Sequence, residues 1–299
     1  MRTGGRCWDL MELFAQTIVS GLVLGASYGL IAVGVTFVFG IGKIVNFAHG
    51  DFIMTAGYVL VVMLGLGVPW WLAIILGVVG ALIAGFIVEL LVVKRLYKAP
   101  ENSSLLAMFA LSLIISTGAQ IVFGTTPLRP YSPFSGETVV VFGVNVDGQR
   151  FLTAIVALVL LTALSIWLRR SRLGLQMQAV SQNPRGALYS GLNVRRIQQT
   201  AFLLGIGLAG IAGVMVAPTV TVSPAMGFPL VVTAFTVVIL AGLGSVTGAV
   251  LGGLIIGLLD AVIATYVSVQ WTTAAGWMLI IIVLLVRPQG LFGQKPVRA

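Results

Sequence analysis

Apolar runs long enough to cross a bilayer recur along this chain, separated by short polar breaks. A helix crosses the hydrocarbon core in roughly 20 apolar residues. Six runs are the clear candidates on sequence alone: 70–93, 104–124, 151–168, 197–217, 248–267 and 272–286. The run 13–40 is too long for one upright helix, and its glycines predict a split into two. The runs 52–66 and 230–243 are short. Together they predict eight to ten spans. Ten-residue segments of strict alternation are missing, so the pattern predicts an all-α polytopic transmembrane helical bundle rather than a β-barrel.

Composition sharpens this picture. Of 299 residues, 59% are hydrophobic and 8% charged, with mean hydropathy +1.09. Soluble chains carry about 25% charged residues, so a soluble enzyme is excluded. Thirty-seven glycines suit closely approaching membrane helices. Cys7, the single cysteine, has no partner for an internal disulfide and no paired metal-ligand spacing. No lipid-attachment box and no cleavable signal peptide are evident. Residues 1–12 read as a short N-terminal extension, with Met11 an alternative start, and 1–299 as a single transmembrane domain.

The net charge of +9 follows the topology and does not indicate nucleic acid. Basic residues collect in cytoplasmic loops. Lys94, Arg95 and Lys98 mark one such loop. Arg169, Arg170, Arg172, Arg185, Arg195 and Arg196 mark a larger one, and Arg287, Lys295 and Arg298 the C-terminus. Residues 125–150 mix Arg129 and Arg150 with Glu137 and Asp147 and carry three prolines, so they read as external.

Two breaks carry unusual polarity. The stretch KIVNFAHGDF, 43–52, holds the only histidine. Three readings stand: a cytoplasmic turn with Asp51 capping the next helix, a polar brace for a broken helix, or a translocation pathway lined by Asn46, His49 and Asp51. His49 lacks a second ligand for a metal. The second break, 242–248, carries Gly242, Gly244 and Ser245. Matching interruptions in the two halves predict broken or re-entrant helices and an inverted repeat with a site near the membrane midplane. Asp260 is the acid deepest in a late span. It reads either as a pathway residue or as a structural tie.

The loop 169–196 carries six arginines and no acid. Asn183 is a good N-cap before Pro184, and Gly191 suits a helix end. Two short helices are expected, about 174–182 and 184–190. On composition alone, this loop either obeys the orientation rule and touches anionic lipid or docks a partner.

The pattern Ala179-Val-Ser-Gln-Asn-Pro-Arg-Gly-Ala187, followed by Gly191-Leu-Asn-Val, resembles the ATPase-contacting motif of ABC-importer permeases. It is most similar to permeases for branched-chain amino acids. Asn46-Phe-Ala-His-Gly-Asp51, the glycine-rich segment 235–253 and Arg287-Pro-Gln-Gly-Leu-Phe-Gly293 extend the resemblance over nearly the whole chain. It departs from the family pattern at Gln178, at Thr247 and at the amides Gln182 and Asn183.

The resemblance implies a cytoplasmic coupling helix that docks on an ATPase through Ala179, Gln182, Asn183, Pro184, Arg185, Ala187 and Gly191. It also implies two ABC ATPase subunits, a second homologous permease and an extracytoplasmic solute-binding protein. Location in a bacterial or archaeal cytoplasmic membrane follows. The chain has no phosphate-binding G-x-x-x-x-G-K-[ST] loop. ATP and Mg²⁺ are therefore expected on the partner subunits, no cofactor is expected on this chain, and it is not expected to be an enzyme. Leucine, isoleucine and valine are the implied substrates, with urea, short amides and other amino acids as the alternative. An autonomous ion-coupled carrier or channel is a weaker alternative, because intramembrane ionisable groups are few.

Overall fold

The computed structural model describes residues 4–97, 99–141 and 143–292, with the side chains of 4–11 and of Glu101 outside the description. Lys98, Lys295, Arg298 and the final glycine of the tail motif therefore lie outside the described residues. So do the side chains of Cys7 and Met11.

Apart from one hairpin and the connecting segments, the described residues are helical. Its helices are α1 (Gly4–Gly42), α2 (His49–Gly65), α3 (Trp70–Val88), α4 (Lys94–Leu96) and α5 (Glu101–Phe123). After strands β1 (Thr138–Val141) and β2 (Val144–Asp147) come α6 (Gly148–Arg170), α7 (Arg172–Gln182) and α8 (Pro184–Tyr189). The last four are α9 (Val194–Val216), α10 (Gly227–Ala241), α11 (Val246–Tyr266) and α12 (Thr272–Val286). A wide π turn, Glu89–Val93, joins α3 to α4, so Trp70–Leu96 runs as one span of 27 residues.

Among the described residues, 7 helices are long and apolar enough to cross a membrane. That is fewer than the expected eight to ten. Two causes account for the difference. The run 13–40 does not split: α1 is one continuous helix of 39 residues. Its glycines serve packing instead of ending the helix. A Cβ on Gly25 would sit 2.7 Å from Leu254 Cα of α11, and one on Gly34 3.0 Å from the Gly205 carbonyl of α9. The second cause is that α2 and α10 are short, with 17 and 15 residues.

The two short helices reveal the architecture. After α1, residues 43–48 run back into the bundle without helical structure, and α2 starts only at His49. Lys43 turns the chain there with φ 55°, unusual outside glycine. After α9, residues 217–226 run back in the same way, and α10 starts only at Gly227. The two helix starts meet: a Cβ on Gly50 would collide with the backbone of Gly227.

The packing repeats with this pattern. Helix α1 lies antiparallel on α11, with Gly21 near Leu258 and Gly40 near Gly244. Helix α9 lies antiparallel on α3, with Gly85 near Ile206 and Gly77 near Val214. The units α1–α2–α3–α5 and α9–α10–α11–α12 thus repeat with inverted direction. Their contacts Gly34–Gly205 and Gly50–Gly227 lie at the centre.

The expected inverted repeat is present, but the break at 242–248 is not the counterpart of 43–50. The counterpart is 217–226. The break at 242–248 is the turn between α10 and α11, equivalent to residues 66–69 between α2 and α3. The prolines Pro218 and Pro224 mark the true counterpart, because proline denies the backbone a helical hydrogen bond.

Two ends of the bundle are distinct. One gathers the hairpin and residues 125–134. Leu128 pairs with Val222 through backbone bonds of 2.7 and 2.8 Å, and Arg129 Nε donates to the Pro218 carbonyl at 3.0 Å. The other gathers the basic residues. There Leu291 and Phe292 donate to the Leu240 and Ala241 carbonyls at 2.9 and 2.8 Å, pinning the tail to the end of α10. The basic end is cytoplasmic by the orientation rule, and the hairpin end extracytoplasmic.

Candidate functional site

The cytoplasmic end builds its surface from the loop 169–196. Ser171 accepts the Gly174 N–H at 2.9 Å and starts α7. Gly174 lies against the Leu168 backbone, and Gln178 Nε2 donates to the Leu168 carbonyl at 2.9 Å. Met177 and Val180 are buried beneath α7, so the helix lies flat against the bundle.

Asn183 then caps α8, its Oδ1 accepting the Gly186 N–H at 2.9 Å, with Pro184 in the first turn. Ala187 is buried and anchors α8, while Gln182, Asn183 and Arg185 are not. Gly191 ends the segment with φ 81°, a conformation that favours glycine. The two helices fall within two residues of the expected bounds. Ala179, Gln182, Asn183, Pro184, Arg185, Ala187 and Gly191 thus form one contiguous segment. Leu188 and Tyr189 at its tip are 60% and 88% exposed. Beside it opens a cleft of ≈ 730 Å³, lined by Lys94, Tyr97, Leu188, Leu192, Arg195 and Gln198 among others.

The second place of interest is the meeting point of the two broken helices. Asn46, His49 and Asp51 are buried to 2% exposure or less. His49 packs against Gly34, and the carbonyl of Ile31 faces its ring without closing a hydrogen bond. Both ring nitrogens, both polar atoms of the Asn46 amide and Asp51 Oδ2 lack a hydrogen-bond partner. Buried polar atoms are paired in the great majority of cases, so this cluster is unusual. Asp51 lies in the first turn of α2 beside the start of α10, with Ser112 of α5 facing it. Phe47 packs against Phe109 and Phe235, with ring centroids 5.9 and 5.2 Å apart, and covers the junction. Asp51 does not cap α2. The residue preceding the helix is Ala48, which makes no side-chain cap.

The other residues expected on a pathway lie elsewhere. Gly242 and Gly244 adopt φ 99° and 89° in the cytoplasmic turn between α10 and α11, close to Gly40. Ser245 caps α11, accepting the Gly248 N–H at 3.0 Å. Asp260 sits towards the extracytoplasmic end of α11, where it accepts the Tyr28 hydroxyl at 3.0 Å. The structure brings Asn46, His49 and Asp51 together and separates them from the remaining four.

Sequence reasoning missed Gly227, Ser112 and Tyr28. Pro224, Gly227 and Pro229 within six residues were the available signal for the first. The other two are set by inter-helix packing. Glu89 is also settled by packing: it is buried and accepts from Gln199 Nε2 at 2.8 Å, tying the wide turn to α9.

The comparisons with known proteins agree with this architecture. A family model described as the permease component of a branched-chain amino acid transport system matches residues 17–286. The chain is 31% identical to the high-affinity branched-chain amino acid transport system permease protein LivH of Escherichia coli (strain K12), over 95% of this chain and 97% of that one. It is 29% identical to the corresponding protein BraD of Pseudomonas aeruginosa, with the same coverage. Among solved structures, PsaBC from Streptococcus pneumoniae in complex with Fab superposes with a TM-score of 0.54 over 93% of this chain and 92% of that one. At 15% identity this likeness speaks for the fold alone. With its family match and its membrane-length helices, the chain is a multi-pass membrane protein that belongs to the branched-chain amino acid transport permease family.

Proposed function

We propose that this chain is one permease subunit of an ATP-driven importer for leucine, isoleucine and valine. It would work with a second homologous permease, two ABC ATPase subunits and an extracytoplasmic solute-binding protein. The observation that carries the reading is the capped helix α8, anchored by Ala187 and presenting Leu188 and Tyr189 at the basic end. A large exposed aromatic on a short rigid element is the typical anchor of a protein interface. The cleft beside it offers the depression that a docking surface needs.

Energy enters through that contact. ATP and Mg²⁺ sit on the ATPases, because this chain has no phosphate-binding G-x-x-x-x-G-K-[ST] loop. A displacement of α8 passes to the bundle through α7 and α9, which flank it in sequence. The broken helices supply the moving part: their starts meet at mid-depth, and rocking one repeat against the other changes which end opens. The apolar outer faces of α5 and α12, equivalent in the two repeats, suit lipid or the second permease. The substrate reading follows the relatives' names and suits the chain's apolar interior.

The test is uptake of labelled leucine into proteoliposomes holding this chain, its second permease, the ATPases and the binding protein. Uptake that needs ATP and the binding protein, and that valine but not urea blocks, is the expected result. ATP-dependent uptake blocked by urea replaces the substrate and retains the machine. Uptake by this chain alone without ATP overturns the subunit reading.

A further inference from the structure

We infer that a cleft within this single chain, at its extracytoplasmic end, is a binding site for a small zwitterion with an aliphatic side chain, and that it leads to the Asn46–His49–Asp51 cluster. The inference rests on the importer reading and adds where the solute first sits. The cleft lies between α1, the hairpin, α6 and the segment 216–220, with a volume of ≈ 430 Å³. Small-molecule sites occupy roughly 300–1,000 Å³, with mostly apolar walls and a few convergent polar groups.

The lining has that character. Asp147 and Arg150 stand in the lining at the start of α6, where Asp147 Oδ1 accepts the Arg150 N–H at 3.1 Å. An ammonium suits the carboxylate. A carboxylate suits the guanidinium, which can bind it through two parallel bonds. The start of a 23-residue helix also favours the negative end of the solute. Below them, Ser27 of α1 adds a hydroxyl, and Ile31 and Leu230 form an apolar floor for the side chain.

The wall behind this site is rigid. Gln149 Nε2 and Thr153 Oγ1 both donate to the Met215 carbonyl, at 2.8 and 3.0 Å, fastening α6 to α9. Ser132 donates to Gln149 Oε1 at 2.6 Å and ties in the external loop.

The floor connects the cleft to the midplane. The Ile31 carbonyl faces His49. Leu230 is one turn beyond Gly227, which touches Gly50 and Asp51. Immediately beneath an aliphatic floor, then, lies a buried set of unpartnered polar atoms. A solute whose polar ends pass that floor would satisfy them. The unpaired cluster and the charged rim are separate observations that mark the two ends of one route.

The test uses the reconstituted complex without binding protein, carrying Cys7→Ser and Ser27→Cys, and a membrane-impermeant maleimide added from the extracytoplasmic side. Leucine at about ten times its Kd should slow labelling of Ser27→Cys about tenfold by occupancy. Labelling of Tyr131→Cys, in the external loop outside the cleft, should be insensitive to leucine. Adding Arg150→Gln should raise the half-protecting leucine concentration about tenfold, the effect of one lost charge-assisted hydrogen bond. Ser27→Cys labelling that leucine does not slow overturns the site. ATP-driven leucine uptake by the wild-type complex with unprotected Ser27→Cys overturns the site alone. Protection without ATP-driven uptake upholds the site and removes the importer reading instead.

Discussion

Gly50 and Gly227 are held to glycine by distance, because each presses its α-carbon on the other's backbone. Gly50→Ala should destabilise the detergent-solubilised protein by about 1–3 kcal/mol, the usual penalty of forced overpacking, and lower its melting temperature. Gly118→Ala is the contrast. It lies within α5 with open space around it, so relief of glycine's backbone entropy should stabilise the helix by about 0.5–1 kcal/mol. Equal melting temperatures for the two variants would contradict the close approach of α2 and α10. Asp260 is a second residue whose role the contacts define. Asp260→Ala removes the acceptor of the part-buried Tyr28 hydroxyl, at about 1 kcal/mol for a lost hydrogen bond, and should impair assembly or transport. Asp260→Asn keeps an acceptor and should recover most of the loss. Normal complex yield with normal uptake for Asp260→Ala would remove both the structural and the pathway reading of this carboxylate.

Helix α8 has only six residues, too few to hold together unaided. Its cap and its buried Ala187 keep it in place. Asn183→Ala should cost about 1 kcal/mol of local stability and weaken the co-purification of the ATPase subunits, while Asn183→Asp preserves the cap and the yield. Tyr189→Ala leaves the fold unchanged, because its side chain is 88% exposed, and should reduce ATPase stimulation by about tenfold if it is an interface anchor of about 1.4 kcal/mol. Unchanged stimulation and yield for both Tyr189→Ala and Asn183→Ala would place the docking surface elsewhere. At this scale much was legible in advance. Asn183-Pro184 and Gly191 mark their boundaries through local backbone chemistry, so α7 and α8 emerged close to their expected bounds. The hairpin of β1 and β2 went unread, because a four-residue strand pair lacks a periodic signature long enough to register.

The whole molecule combines an inverted repeat with an asymmetric charge distribution. Its sidedness is testable with two cysteines in a Cys7→Ser background. Tyr131→Cys should react with an impermeant thiol reagent from outside the cell, and Tyr189→Cys only after the membrane is opened. Reaction of both from one side would refute the arrangement of the two ends. The repeat also explains why two of the apolar helices fall short of a bilayer's thickness. Each is the helical half of a crossing whose other half, 43–48 or 217–226, is non-helical and partly buried against the bundle. Irregular backbone at membrane depth is tolerated only where protein or a water-filled cavity satisfies it. Seen from hydropathy alone, such a segment looks like a short span plus a loop, which inflated the expected count.

Hydrophobic length, glycine content and the distribution of arginines determined, without any coordinates, that this chain is a polytopic helical membrane protein with a basic cytoplasmic face and a short capped helix upon it. These properties are local or additive: transfer of apolar residues into lipid, the cap at Asn183, the sum of charge in each loop. Pairing across the bundle was decided by tertiary structure. Which break matches 43–48, that Gly50 abuts Gly227, that Tyr28 holds Asp260, and that Ile31 separates an outer cleft from His49 all depend on contacts between residues far apart in sequence. Within lipid the helices have no hydrophobic incentive to choose among apolar neighbours. Shape and a few polar contacts make that choice, and neither is visible in a one-dimensional pattern.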